Sequence, residues 1–591
     1  MVNKDDIKTS VLKRIEKTHD LLEKLKSKNT LAYLQGLHSI KTDYESIEDF
    51  DKACKYAYII IDLLSRNVIE YERNPENDEL VNDIWVTAYD TRARQGDFES
   101  FCIAMEWNRP INKQFYLPRA RLLKKHGFIQ AIQDLIDDKL DLLVLNAPPR
   151  VAKSTIGLFL QVLLGSISPD ESILGAGHSV SLVQSFYSEI LSLLTDEQYR
   201  YNKIFPNNKL VNKSAEQYYI DLNKVKRFHT FNYVSIESGG TGKVQAERLL
   251  YCDDLVKDVE QANSPDRLAK LYFNYTSTIK DRKIQRLCKD GVYRPCPELH
   301  ICTPWSLHDV TSRVVNNAKE SGDMSRVRIV SIPCYDENGN SNFEYDYGKG
   351  FNTQYYKDME IAEDPVIFSA KYLMQPIERD GIVFSKDNVS FYNELPGGKP
   401  DRIIAYADPT HGGADFFSLP IGYVYGNEIY IEDVLFENNF GGDDYIRPKI
   451  CDIIIRNNVT RFGIEKPNGG DFLATLIEKD LRERNYHCNI TTHNVPTNKS
   501  KNDRILARQN EIKGIATENG TYRIYFKNLD LIKGNKPYLT AMRQLFTWNQ
   551  NPNMKNKQHD DFPDSLAGML SNVLNSTNNV VKVYDAKNFG I

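Results

Sequence analysis

The chain has 591 residues, with 75 Lys+Arg against 80 Asp+Glu and a formal charge of −5. That balance excludes a histone-like protein that holds nucleic acid by bulk charge, and leaves room for a local basic patch. With 41% apolar and 26% charged residues, the composition is that of a globular protein of several domains, long enough to bury more than one core without disulfides or metals.

Residues 1 to about 105 predict a helical region. Leu12, Ile15, Leu21, Leu22 and Leu25 recur near helical spacing among Lys and Glu, and Tyr56–Leu64 forms another apolar face. The start, Met1–Lys28, is charged and lacks an apolar centre, so no secretory leader is expected. A helix is predicted over Pro118–Lys139, then a buried strand at Leu142–Leu145, a Pro-Pro turn and a helix from Ser154 to Leu164. Further buried strands are expected at Ser172–Gly175, Leu249–Cys252 and Leu299–Cys302. Strands alternating with helices predict a parallel sheet covered on both faces. The longest apolar stretch, Ile156–Leu164, is too short to span a bilayer, so a soluble intracellular protein is expected. Nine cysteines without paired spacing read as reduced, buried thiols. The tightest cluster, Cys288, Cys296, His300 and Cys302, contains no C-x-x-C and reads as strand residues ahead of a zinc site.

The segment Pro376–Pro400, ending in Pro396-Gly397-Gly398-Lys399-Pro400, reads as a linker. Beyond it a strand is predicted at Arg402–Ala407, followed by a hairpin with Gly426-Asn427 between Ile421–Tyr425 and Ile429–Val434. A strand at Arg461–Ile464, a helix from Asp471 to Glu483 and a helix from Pro563 to Leu574 complete the pattern.

Ala147-Pro148-Pro149-Arg150-Val151-Ala152-Lys153-Ser154-Thr155 sits between a strand and a helix, where a phosphate-binding loop belongs. Lys153 would contact the β- and γ-phosphates of ATP, and Ser154 would hold Mg²⁺. Ala147 and Ala152 stand where that motif has glycines. Such an enzyme needs a second apolar strand ending in carboxylates, and Leu249–Cys252 followed by Asp253 and Asp254 has that form. Asp253 would serve the metal, and Asp254 stands where a catalytic carboxylate belongs. Lys243 is a poor alternative loop lysine, and Gly177-His178-Ser179-Val180-Ser181 fails as a nucleophile elbow because Ser181 replaces the final Gly.

With both motifs in place the chain resembles the large terminase subunit of tailed bacteriophages, the motor that packages viral DNA. The loop Pro148-Pro149-Arg150-Val151-Ala152-Lys153-Ser154 and the turn Gly239-Gly240-Thr241-Gly242 carry the likeness. The resemblance implies that Pro149, Arg150, Ala152, Lys153, Ser154 and Thr155 bind the nucleotide, that Arg150 assists phosphate or couples the loop to motion, and that Asp254 orients water. It also implies that Thr303, in Ile301-Cys302-Thr303-Pro304-Trp305, senses the γ-phosphate. By residue type alone Thr303 is equally a strand-end Thr bonding local backbone.

A two-metal nuclease needs several carboxylates converging on two cations about 3.5–4 Å apart. Asp408 follows the strand at 403–407, Glu465 ends the strand at 461–464, and Asp560, Asp561 and Asp564 lie in His559-Asp560-Asp561-Phe562-Pro563-Asp564. This order looks like the terminase nuclease domain, an RNase H-like fold. The likeness implies Asp408, Glu465 and one or both of Asp561 and Asp564 as Mg²⁺ ligands, with Mn²⁺ an alternative ion. Taken alone, Asp561 reads as a helix N-cap. Asp415 and Asp471 read as solvated loop residues. Lys499, Lys501, Arg504 and Arg508 are expected to form a positive flank for DNA, or a solvated helix face.

The expectation is therefore an α/β chain: a helical N-terminal region (1–105), a P-loop ATPase domain with a parallel sheet (106–375), a linker (376–400) and an RNase H-like nuclease domain (401–591). The implied function is ATP-driven translocation of double-stranded DNA into a procapsid, with cleavage of concatemeric DNA. Implied partners are double-stranded DNA, a portal protein, a small terminase subunit and further copies of the chain in a pentameric ring, in the host cytoplasm with no membrane. Arg248, Arg267, Arg282 and Arg286 are candidates for an arginine acting on a neighbour's ATP. Alternatives are a different ATPase-nuclease, such as a helicase-nuclease, and a structural DNA-binding protein with decayed sites.

Overall fold

The computed structural model describes residues 4–237, 244–347, 350–379, 381–409, 416–438, 442–466, 469–494, 500–516, 522–551 and 559–573. The expected turn at 239–242, Lys243, Asp415 and Lys499 lie outside them. The chain forms two compact units, Met1–Thr353 with Ala370–Pro376, and Gln354–Ser369 with Ile377–Ile591. No described helix is long and apolar enough to cross a membrane.

The first unit opens with helices Lys4–Glu23, Leu31–Ser46, Phe50–Ser65, Pro75–Arg94 and Phe98–Glu106. The last four start at side-chain caps, Thr30, Asp49, Asn74 and Asp97, each accepting a backbone N–H from the first turn. The first four pack around Ile15, Leu22, Leu34, Leu37, Ile40, Ala53, Ala57 and Ile60. Of the expected stripe, Leu12 and Leu21 are 41% and 56% exposed, so the buried face of the first helix is Val11–Ile15–Leu22. The helix expected over Pro118–Lys139 is broken at Gly127, whose φ of +73° ends Ala120–Lys125 and starts Phe128–Ile136.

The sheet of this unit has strands β1 (Leu142–Asn146), β2 (Ile173–Gly177), β3 (Leu210–Ser214), β4 (Tyr219–Leu222), β5 (Phe231–Ser235) and β6 (Leu249–Asp253). After a separate hairpin of β7 (Gln285–Leu287) and β8 (Tyr293–Pro295) come β9 (Glu298–Cys302) and β10 (Val327–Ser331). The order is β10-β1-β9-β6-β2-β5-β4-β3, parallel except for the antiparallel edge of β3 and β4. β1, β2, β6 and β9 are buried throughout; the first three are mainly apolar, while β9 also buries Glu298 and His300, which bond each other. β9 lies between β1 and β6, so the segments after these three strands open on one edge of the sheet.

The second unit holds β11 (Phe391–Tyr392), β12 (Arg402–Ala407), β13 (Phe416–Tyr425), β14 (Glu428–Asn438), β15 (Arg461–Glu465), β16 (Asn489–His493) and β17 (Arg523–Lys527). Their order is β11-β17-β14-β13-β12-β15-β16. β12, β13 and β14 form an antiparallel meander, and β15 and β16 add in parallel beside β12. Numbered from β12, the five strands β12 to β16 run 3-2-1-4-5 across the sheet, which is the RNase H-like order. Helices Asp443–Arg456 and Gly470–Glu483 cover one face, and Lys536–Thr547 and Asp561–Gly568 the other. The stretch expected as a linker is not free chain: Val383, Phe384 and Val389 are buried in this core, because their side chains are apolar despite the flanking Pro and Gly.

Candidate active sites

In the first unit β1 delivers the loop 147–152 to the start of helix Lys153–Ile167. Arg150 and Ala152 adopt left-handed backbone, at φ +64° and +68°. Ala152 thus takes the conformation a glycine would supply, at roughly 1–2 kcal/mol of strain. Pro149, Ser154 and Thr155 are half-buried and Arg150 is exposed.

Lys153 is buried and turns across the sheet edge. Its Nζ lies 2.8 Å from Asp254 Oδ1 and 2.6 Å from Thr303 Oγ1. The Thr303 backbone N–H donates to the same Asp254 oxygen at 3.0 Å. Asp254 itself has φ +40°, and His178 Nδ1 sits 2.9 Å from its carbonyl oxygen. The structure therefore joins Lys153, Asp254 and Thr303, which come from three separate segments.

Asp253 is buried behind them. Burial, then the charge of Asp254, pushes its carboxyl up to about 7, against the pull of Lys153, Tyr251 and Ser154. Tyr251 Oη donates to its Oδ2 at 2.6 Å, while Oδ1 is buried without a hydrogen-bond partner. A bare carboxylate oxygen near a serine hydroxyl suits a hard divalent cation, so Asp253 and Ser154 fit Mg²⁺.

Two of the four candidate trans-acting arginines are spoken for. Arg248 and Arg286 are buried and both pair with Asp138. Arg267 is exposed, 2.8 Å from Glu260. Cys288, Cys296 and Cys302 are buried free thiols, and His300 bonds Thr311 and Glu298 rather than the cysteines.

In the second unit the parallel register of β12 and β15 sets Ala407 opposite Ile464, which brings Asp408 and Glu465 side by side. Gly470 is needed there, since a Cβ would meet the Glu465 carbonyl oxygen at 1.7 Å. Helix Asp561–Gly568 adds Asp564. One carboxylate oxygen from each of Asp408, Glu465 and Asp564 lies within 4.8 Å of the others, and all three residues are buried. Burial pushes all three carboxyls above their ordinary range, with Lys501 and Arg504 opposing it. Asp564 Oδ1 is buried without a hydrogen-bond partner. Converging carboxylates with a bare oxygen fit divalent cations, which would offset their mutual repulsion.

One expectation is corrected here. Asp561 does not join the cluster, because its Oδ2 accepts from Gln544 Nε2 at 2.9 Å and the Phe416 backbone N–H at 3.3 Å. It opens its helix and ties it to β13 and the neighbouring helix. Two of the expected basic residues sit directly on the acids. Lys501 Nζ lies 3.1 Å from Asp408, 3.3 Å from Asp560 and 3.6 Å from Asp564. Arg504 bridges Glu465, at 3.0 Å, and Asp564. Arg508 bonds Glu511 and Ser571 instead. Asp471 is exposed, as a solvated acid is.

Sequence reasoning missed two tyrosines. Tyr251 stands two residues before Asp253, and Tyr406, two before Asp408, donates to Glu465 Oε1 at 3.2 Å. For Tyr251 the signal is an aromatic hydroxyl at i−2, which shares a strand face with the acid; Tyr406 instead reaches the acid of the neighbouring strand, which no local spacing shows.

No family model matches the chain, and no curated protein does. Among solved structures it is similar to the large terminase of the thermophilic bacteriophage D6E in complex with ADP, at 9% identity over 78% of this chain and 99% of that one, with a TM-score of 0.27. The large terminase of bacteriophage HK97 matches at 12% identity over 69% and 85% of the two chains, with a TM-score of 0.29. The nuclease domain of the large terminase subunit of bacterial virus Sf6 matches at 11% identity over 29% and 89%, with a TM-score of 0.21. Several of the solved structures to which this chain is similar are thus large terminases of bacterial viruses or their nuclease domains.

Proposed function

We propose that the chain is a DNA-packaging ATPase-nuclease: its first unit hydrolyses ATP to move double-stranded DNA into a procapsid, and its second cuts concatemeric DNA. The observation that carries this reading is the convergence of Asp408, Glu465 and Asp564 in one buried cluster, in a chain that also joins Lys153, Asp254 and Thr303.

At the ATP site Lys153 binds the β- and γ-phosphates, with backbone N–H groups of the loop and helix start around them. Ser154 and Asp253 would hold Mg²⁺, which supplies charge neutralisation on the phosphate oxygens. As Lys153 turns to phosphate, Asp254 is released to orient the attacking water, and Thr303 registers the γ-phosphate. Arg150 reaches phosphate from the exposed loop tip. A neighbouring copy supplies a further arginine, for which exposed Arg267 is available and buried Arg248 and Arg286 are not.

At the nuclease site Asp408, Glu465 and Asp564 would hold Mg²⁺ or Mn²⁺, which supplies activation of water and stabilisation of the leaving oxygen. Lys501 and Arg504 balance the acids and present positive charge to a phosphodiester. DNA is held mainly through phosphates, so affinity falls steeply with salt. The working form is a pentameric ring on a portal protein, fed by a small terminase subunit, in the host cytoplasm.

The test uses the full chain. Lys153→Ala abolishes ATP turnover and leaves Mg²⁺-dependent cleavage of plasmid DNA. Asp408→Ala does the reverse. Loss of both activities in either variant refutes the division into two sites, and failure to bind a portal ring refutes the packaging role.

A further inference from the structure

Asp253 is expected at the ATP site from its place at the end of β6, but nothing in the motif says how its carboxylate is aimed. The strand supplies the answer two residues earlier. Residues at i and i+2 share a strand face, so Tyr251 and Asp253 both point toward the helix Lys153–Ile167. Tyr251 is wholly buried, and its Oη donates to Asp253 Oδ2 at 2.6 Å.

The tyrosine has a fitted seat. A Cβ on Gly157 would lie 2.4 Å from Tyr251 Cε2 and 2.7 Å from its Oη, so only a glycine admits the ring at that turn. Gly157 is four residues after Lys153 on the same helix, so one helix both carries the phosphate lysine and seats the ring. On its other side the ring meets Phe186 edge-on, at 5.7 Å between centroids and 71° between planes. With both sides held, the hydroxyl has little freedom to leave the carboxylate.

The consequence falls on the other oxygen. With Oδ2 taken by the tyrosine, Oδ1 is the atom left buried and without a hydrogen-bond partner. A buried carboxylate oxygen without a donor is unfavourable until a cation meets it. We infer that Tyr251, seated by Gly157, is a positioning residue that fixes one oxygen of Asp253 and presents the other to the divalent cation of the nucleotide site. This deepens the proposed ATPase and rests on it. It assigns a metal-orienting role to a residue that otherwise reads as core aromatic.

Partners that orient a metal ligand are worth about 10–100-fold in metal affinity or activity when removed. The test compares the full-length wild type with Tyr251→Phe, which keeps the ring and removes only the hydroxyl. Mn²⁺ binding is followed by electron paramagnetic resonance with and without a non-hydrolysable ATP analogue, and the nucleotide-dependent part is read. The variant needs about tenfold more Mn²⁺ for half-saturation. Nucleotide binding in EDTA stays at the wild-type value, and turnover recovers at high metal. Gly157→Ala, which pushes the ring aside, reproduces the metal shift. An unchanged Mn²⁺ curve in Tyr251→Phe overturns the inference, as does an equal loss of nucleotide binding in EDTA, which would mark a packing role. Absence of hydrolysis by the wild type counts against the proposed function alone, because the binding measurement reads the tyrosine without turnover.

Discussion

Lys153 and Asp254 are paired across 101 positions of sequence, with the ammonium 2.8 Å from the carboxylate and largely shielded from water. The phosphate-binding group and the candidate water-orienting group thus hold each other, and the phosphates of ATP must compete for the lysine. Asp254→Asn weakens that hold. The variant binds ATP several-fold more tightly by equilibrium titration while its turnover falls by at least about 100-fold, the scale of a lost general base. Unchanged affinity would mean that the pair does not oppose nucleotide binding.

Ala152 keeps a left-handed backbone at the start of the phosphate-loop helix. Ala152→Gly removes the Cβ strain but adds freedom to the unfolded chain, so the net gain is roughly 1 kcal/mol. Denaturant unfolding of the first unit's transition reads this directly. Destabilisation by glycine would show that the loop is not strained.

Asp561 carries the pH dependence with the clearest sign. Burial raises its carboxyl to about 6 from an ordinary 3.8, against the donors Gln544 and Phe416 N–H. Well below its ordinary 3.8 it is neutral in both folded and unfolded chains. Between about pH 4 and 6 the unfolded chain ionises it more readily, so stability is lost as pH rises through that window. Asp561→Asn keeps an oxygen for both donors and escapes the loss. The variant is more stable than the wild type by up to about 3 kcal/mol above pH 6, and the two converge below pH 4. It also retains metal-dependent cleavage. Loss of cleavage in a folded variant would return Asp561 to the metal site.

Much of this was legible in the chain. The buried strands β1 and β6 showed as short apolar runs, and the phosphate-loop lysine after β1 and the acids at the end of β6 showed as breaks in that pattern. Asp408 and Glu465 were readable because each stands where a buried strand ends. Less legible were pairings made across long separations. Lys501 and Arg504 read as a DNA-facing cluster because nothing local shows that their helix packs against the carboxylates. Asp561 and Asp564 share a spacing of three, yet Asp561 was claimed by Gln544, 17 positions away. β11 and β17 were missed as strands, since they join the sheet only through parallel pairing with distant segments and β11 is two residues long. The run Val383–Tyr392 was hidden by the Pro and Gly that follow it.

The central claim is that Asp408, Glu465 and Asp564 grip divalent cations. Isothermal titration of Mn²⁺ into the full chain without nucleotide, wild type beside Asp564→Asn, measures it most directly. The account predicts tight uptake by the wild type that Asp564→Asn abolishes, together with its nuclease activity, while ATP turnover persists. Identical Mn²⁺ isotherms for the two proteins would contradict it.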